Sequence, residues 1–124
     1  MAVRVEVIDG VFGRPAVGVP VRLLQELEGT WYELAADRTD EAGHADGLAR
    51  ASHRCRYRLV LSLDSYFAGL GVEPFQSRVD VVFRVFHANE QIRLLFMVTP
   101  SSCSLCRLTV GDLARYSGSE DTSG

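Results

Sequence analysis

The chain contains no lysine: all thirteen of its basic residues are arginine. Schiff-base chemistry, which needs an amine side chain, is therefore excluded, and an all-arginine basic set fits a GC-rich, bacterial-looking coding sequence. Cysteine is sparse and odd in number at three, and Cys103-Ser-Leu-Cys106 is the only closely spaced pair. On a strand an offset of three sends the two sulfurs to opposite faces, and no second pair exists to complete a four-ligand zinc site. The cysteines are read as structural, with no metal and no cofactor expected. No apolar run approaches the roughly 20 residues of a membrane-spanning helix. The opening MAVRVEVIDG lacks the layout of a secretion signal, which makes cytoplasmic the expected location, without a membrane partner. A basic stripe is also missing: the arginines are scattered among 16 acidic residues and the net charge is −3, which argues against nucleic acid.

What is present is a core for one domain. With 124 residues and 47% hydrophobic content the chain can bury a single core without staples. Val3, Val5 and Val7 alternate with Arg4, Glu6 and Ile8 until the turn pair Asp9-Gly10, the period of a half-buried strand. Val21 to Gln25 follows a Gly/Pro loop, and Thr30 to Leu34 reads as a third short strand before the turn cluster Thr39-Asp40-Glu41-Ala42-Gly43. CRYRLVLSL, residues 55 to 63, alternates most clearly, with Tyr57, Leu59 and Leu61 inward. Asp64 to Gly71 reads as one short helix with an acidic or hydroxyl cap and a glycine stop. Arg78 to Phe86, Gln91 to Val98 and Ser102 to Val110 complete about eight strands at sandwich spacing. The domain is assigned to 1–111, and residues 112–124, rich in Ser, Gly and acids, are expected to fray as a tail. His53 and His87 fall in loops, Tyr66 and Phe67 are expected to pack helix to core, Trp31 to cap a sheet edge, and the acidic 26–41 stretch to be a solvated face.

The strand QIRLLFMV raises a question of placement. Ile92, Leu94, Phe96 and Val98 point one way, and Gln91, Arg93, Leu95 and Met97 the other. The second side is too apolar for open water, so Arg93 is expected at a subunit contact, in a pocket, or in both.

The ordered set VEVIDGVFGRPAVGVPVRLL, Trp31, Thr39-Asp40-Glu41-Ala42-Gly43, Gly47-Leu48, Tyr57-Arg58, Asp64-Ser65-Tyr66-Phe67, Gly71, Phe75, Val81-Val82-Phe83 and Thr99-Pro100 resembles the transthyretin family. That family joins the transthyretins to the 5-hydroxyisourate hydrolases. The resemblance runs from about residue 3 to 110 and implies an all-β, transthyretin-like two-sheet sandwich of about eight strands with one short helix. It also implies a homotetramer, a dimer of dimers, or at least a homodimer, whose facing sheets enclose a central channel. Arg93, Leu95 and Met97 would face that channel, as would Glu6, Ser102, Ser104 and Cys106 by the same phase.

The same resemblance marks departures from the hydrolases. Their opening His-Val-Leu-Asp is Glu6-Val7-Ile8-Asp9 here, and their Gly-Arg is Gly43-His44. Their His-Tyr-His-Val-Pro is Gln91-Ile92-Arg93-Leu94-Leu95, and their closing Tyr-Arg-Gly-Ser is Cys106-Arg107-Leu108-Thr109. Ring opening of 5-hydroxyisourate needs a neutral base to activate water, which neither an arginine nor a salt-bridged carboxylate matches well. The expectation is a repurposed, cofactor-free hydrolase, cyclase or isomerase of a biosynthetic or catabolic pathway. Its catalytic residues would be Glu6, His44, Arg93 and Arg107, and Leu95, Met97, Ser104, Cys106 and Thr109 would bind the small molecule. Two alternatives stand beside it: a non-catalytic small-molecule carrier using the same channel, and a Glu6–Arg93 pair that only compensates buried charge.

Overall fold

The computed structural model describes residues 2–48, 55–87 and 90–109, with backbone alone for Leu108 and Thr109. His53 and the 112–124 tail lie outside the described residues. The elements are β1 (Ala2–Asp9), β2 (Arg14–Pro15), β3 (Pro20–Leu27), β4 (Thr30–Arg38), β5 (His44–Ala45), β6 (Arg56–Ser62), α1 (Asp64–Ala68), β7 (Arg78–Arg84), β8 (Gln91–Val98) and β9 (Cys103–Thr109). They form two sheets. One has the order β2-β1-β8-β9 with β5 also on β1, and the other has the order β4-β3-β6-β7. The β1–β8 pair is parallel, and the remaining pairs are antiparallel.

Alternation dictates the two-layer stack. Val3, Val5 and Val7 of β1 and Ile92, Leu94, Phe96 and Val98 of β8 meet Val21, Leu23, Tyr57, Leu59 and Leu61 of the other sheet in one core. Each such side chain contributes about 1.5–3 kcal/mol of apolar burial, so the strand phases, not the loops, determine the stacking. Gln25, on the inner side of β3, is buried and donates from Nε2 to the Tyr57 hydroxyl at 3.2 Å, which satisfies it without a charge.

Several expectations change in detail. The third strand runs to Arg38, not Leu34, because a register shift beside Leu23 and Leu24 inserts Leu34 and lets the pairing continue. The helix cap is Leu63, with no side-chain hydrogen bond, and Asp64 lies in the first turn, where a carboxylate favours the helix dipole. Phe67 is in the core, whereas Tyr66 both packs there and hydrogen-bonds to Asp9. Trp31 stands on the edge strand β4 with the guanidinium of Arg58 4.5 Å from its ring centroid. The acidic 26–41 stretch is partly paired, Glu33 with Arg22 and Glu26 with Arg56. Among the described residues no helix is long and apolar enough to cross a membrane.

Candidate functional site

The outward face of the five-stranded sheet carries most of the residues singled out from the sequence. In β1 the inward valines leave Arg4, Glu6 and Ile8 pointing out. Parallel pairing sets Arg4 beside Arg93 and Glu6 beside Leu95. Across β8–β9, Leu95 is opposite Cys106 and Met97 opposite Ser104. Opposite residues share a face, so one row crosses four strands as His44, Glu6, Leu95 and Cys106. Cys106 is exposed there, while Cys103, three residues earlier, packs against the core on the other side. Burial pushes the Cys103 thiol pKa up.

His44 reaches this row through a two-residue strand that the sequence does not announce. The pairing of β5 with β1 puts Ala45 opposite Val5 and His44 opposite Glu6. His44 Nε2 then lies 3.3 Å from Glu6 Oε1, both side chains about one-third exposed. A tight turn holds the histidine: Oδ1 of Asp40 accepts the backbone N–H of Ala42 at 2.9 Å and of His44 at 3.0 Å. The His44 amide is the main reason the Asp40 carboxyl pKa sits below its ordinary value. Gly43 closes the turn with φ 79°, and a β-carbon there would meet the Val7 carbonyl oxygen at 2.6 Å.

Arg4 belongs to the same face, and its Nε lies 3.1 Å from Oδ1 of Asp46. Sequence reasoning missed it, although the alternation that placed Glu6 outward places Arg4 there too. Arg93 has no carboxylate partner among the described residues. The expected Glu6–Arg93 ion pair is thus replaced by Glu6–His44. Arg4, Glu6, Arg93, Leu94 and Leu95 line a cleft of about 40 Å³.

Arg107 stands apart. It is opposite Leu94, whose side chain enters the core, and its Nη2 lies 2.6 Å from Oε2 of Glu90. Alternation along β9 separates it from Ser104 and Cys106, so it does not join Glu6, His44 and Arg93. Ser102 lies in the β8–β9 turn, bonded to Thr99. The Thr109 side chain is outside the described residues, and His87 is exposed. No three His, Cys, Asp or Glu side chains among the described residues converge to hold a metal ion.

A sandwich of two such sheets, with a parallel pair at the centre of one and a single short helix leading from β6 to β7, has the architecture of a transthyretin-type domain. The family model described as "HIUase/Transthyretin family" matches residues 3–107, and the chain belongs to that family.

Proposed function

We propose that the outward face of the five-stranded sheet acts on a small organic anion inside a homo-oligomer, as a cofactor-free hydrolase, cyclase or isomerase. The observation that carries this reading is the Glu6–His44 contact at 3.3 Å beside Arg93, a guanidinium with no carboxylate partner among the described residues. A carboxylate holding an imidazole is a proton-transfer pair. An unmatched arginine supplies the planar fork that anchors a carboxylate or enolate. Glu6 and His44 would move the proton, Arg93 would fix the anion, and Leu95, Met97, Ser104 and Cys106 would line the rest. Arg107 has no part in this arrangement.

The oligomer enters because a 40 Å³ cleft is far too small for an organic ligand, which typically fills about 300–1,000 Å³. A second protomer facing this sheet would provide the other wall. Hydrolysis of 5-hydroxyisourate is not the proposed reaction, since the positions resembling the hydrolases' histidines hold Glu6 and Arg93. The half-buried Leu95 beside Arg93, with the half-buried Ile8 opposite Met97 farther along the same face, favours one second reading, a carrier of apolar anions.

The test is incubation of the protein with a panel of small cyclic and acyclic carboxylates, followed by mass spectrometry. The enzyme reading expects a new species whose formation slows about 10²–10⁴-fold in Glu6→Ala or His44→Ala, while Arg93→Ala chiefly raises KM. Saturable binding without product, with thermal stabilisation that grows with ligand, selects the carrier. Turnover at the parent rate in folded Glu6→Ala and Arg93→Ala variants overturns the assigned roles.

A further inference from the structure

The outward face of the four-stranded sheet holds a second arginine cluster that the site above does not use. Arg56 and Arg84 stand directly opposite each other across β6–β7, and Arg58 follows two residues along β6, opposite Val82. All three share one face, and like charges in such positions repel. Among the described residues one carboxylate pairs with them: Glu26 accepts from Arg56 Nε at 2.7 Å and Nη2 at 2.6 Å, while Glu33 and Asp80 on the same face are matched by Arg22 and Arg78. Those bonds and the charge of Arg56, with the charges of Arg84 and Arg58 after them, hold the Glu26 carboxyl pKa below its ordinary value. Three guanidiniums against one carboxylate leave two positive charges, in a chain whose net charge is −3.

Trp31 faces the cluster. The guanidinium carbon of Arg58 lies 4.5 Å from its ring centroid and that of Arg56 5.9 Å away. Stacking of this kind orders a guanidinium without neutralising it. Neither Arg58 nor Arg84 has a carboxylate partner among the described residues, and Arg58 Nε is shielded from solvent with no acceptor there. A shielded donor without an acceptor is costly unless a ligand supplies one. Beside Arg84 an open groove of about 350 Å³ is lined by Cys55, Val85 and Phe86.

We propose that Arg84, Arg58 and Arg56, set against Trp31, form a binding site for a doubly charged oxyanion of the phosphate class. The two surplus charges match a dianion, whereas a single carboxylate would cancel only one. Arginine forks suit phosphate oxygens, and the groove beside Arg84 offers room for the body of a phosphomonoester. Free phosphate and a monoester share this chemistry, and the measurement below separates them.

Trp31 is the only tryptophan in the chain, so its emission reports on the cluster directly. Inorganic phosphate titrated at fixed ionic strength against a chloride blank is expected to give a saturable change. Arg84→Gln, at an exposed strand position, is expected to weaken binding at least tenfold with the melting temperature retained, and Arg84→Lys to weaken it less. Arg93→Ala is expected to leave the curve unchanged, which keeps this site independent of the one on the other sheet. Phenyl phosphate binding more tightly than inorganic phosphate assigns an ester, and equal affinity assigns the free anion. A flat or linear response from the parent protein, wild-type affinity in Arg84→Gln, or an equal response to acetate overturns the proposal.

Discussion

The hydroxyl of Tyr66 donates to Oδ2 of Asp9, tying α1 to the end of β1. The other carboxylate oxygen accepts the backbone N–H groups of Val11 at 2.8 Å and Phe12 at 3.1 Å, so a fully buried acid organises both a turn and a helix. Tyr66→Phe is expected to lower unfolding free energy by about 1–3 kcal/mol, the range for a hydrogen bond to a charged group. The measurement is the urea midpoint at pH 7. An unchanged midpoint would refute the role.

The same pair sets pH limits at both ends. Burial, then the hydrogen bond and charge of Asp9, pushes the Tyr66 hydroxyl pKa up to about 12, against about 10 in an unfolded chain. A raised folded value means that this stability is whole below pH ~10 and is lost as pH climbs towards 12. For Asp9 burial works upward, but the Tyr66 hydroxyl and the Phe12 and Val11 amides outweigh it, leaving the carboxyl pKa below its ordinary value. Its contribution is therefore present above pH ~3.9 and disappears as pH falls through the lowered value. Denaturation followed across both limbs should show the alkaline loss shrink in Tyr66→Phe. An alkaline limb identical to the parent's would count against the pairing.

Two glycines separate backbone strain from steric clash. Gly29 and Gly43 have φ 81° and 79°, yet a β-carbon on Gly29 meets nothing within 4 Å, while one on Gly43 meets the Val7 carbonyl oxygen at 2.6 Å. Gly29→Ala is expected to cost about 1–2 kcal/mol, the strain of a left-handed residue alone. Gly43→Ala adds a collision with β1 backbone. It should cost more and move His44 from Glu6, so any ligand signal from that pair should weaken with it. Equal thermal shifts for the two variants would contradict this account.

The layers were legible because alternation carries them: the phases of Val3 to Val7, Tyr57 to Leu61 and Ile92 to Val98 are all inward as read. The same rule already separated Arg107 from Cys106, since adjacent residues of a strand cannot share a face, and grouping both at one site ran against it. The Glu6–His44 contact was not legible. It depends on a two-residue strand whose placement comes from the Asp40 turn and Gly43, and two residues are too few to show a period. Nor could spacing choose His44 over Arg93 as the partner of Glu6, because β5 and β8 both flank β1 and the choice is made by register, which sets Glu6 opposite His44 and Arg93 opposite Arg4.

The outward face of β8 permits a sharper test of assembly than any single contact. Phe96 is 0% exposed and Met97, its neighbour, 47%. In an isolated protomer Phe96→Ala should cost about 3–5 kcal/mol through cavity formation, and Met97→Ala only about 1 kcal/mol, since about half of that side chain stays in water. If a second protomer covers this face, as the proposed site requires, Met97→Glu should instead shift the mass in solution. Light scattering coupled to gel filtration is expected to show the parent as a dimer or tetramer and Met97→Glu as a smaller, still folded species. The Arg93 guanidinium would then lose its facing wall, and anion binding at Glu6, His44 and Arg93 would fall with the assembly. A parent protein that runs as a single protomer at micromolar concentration leaves Glu6 and Arg93, among the described residues, a cleft of about 40 Å³, too small for an organic ligand, and the proposed site would fall.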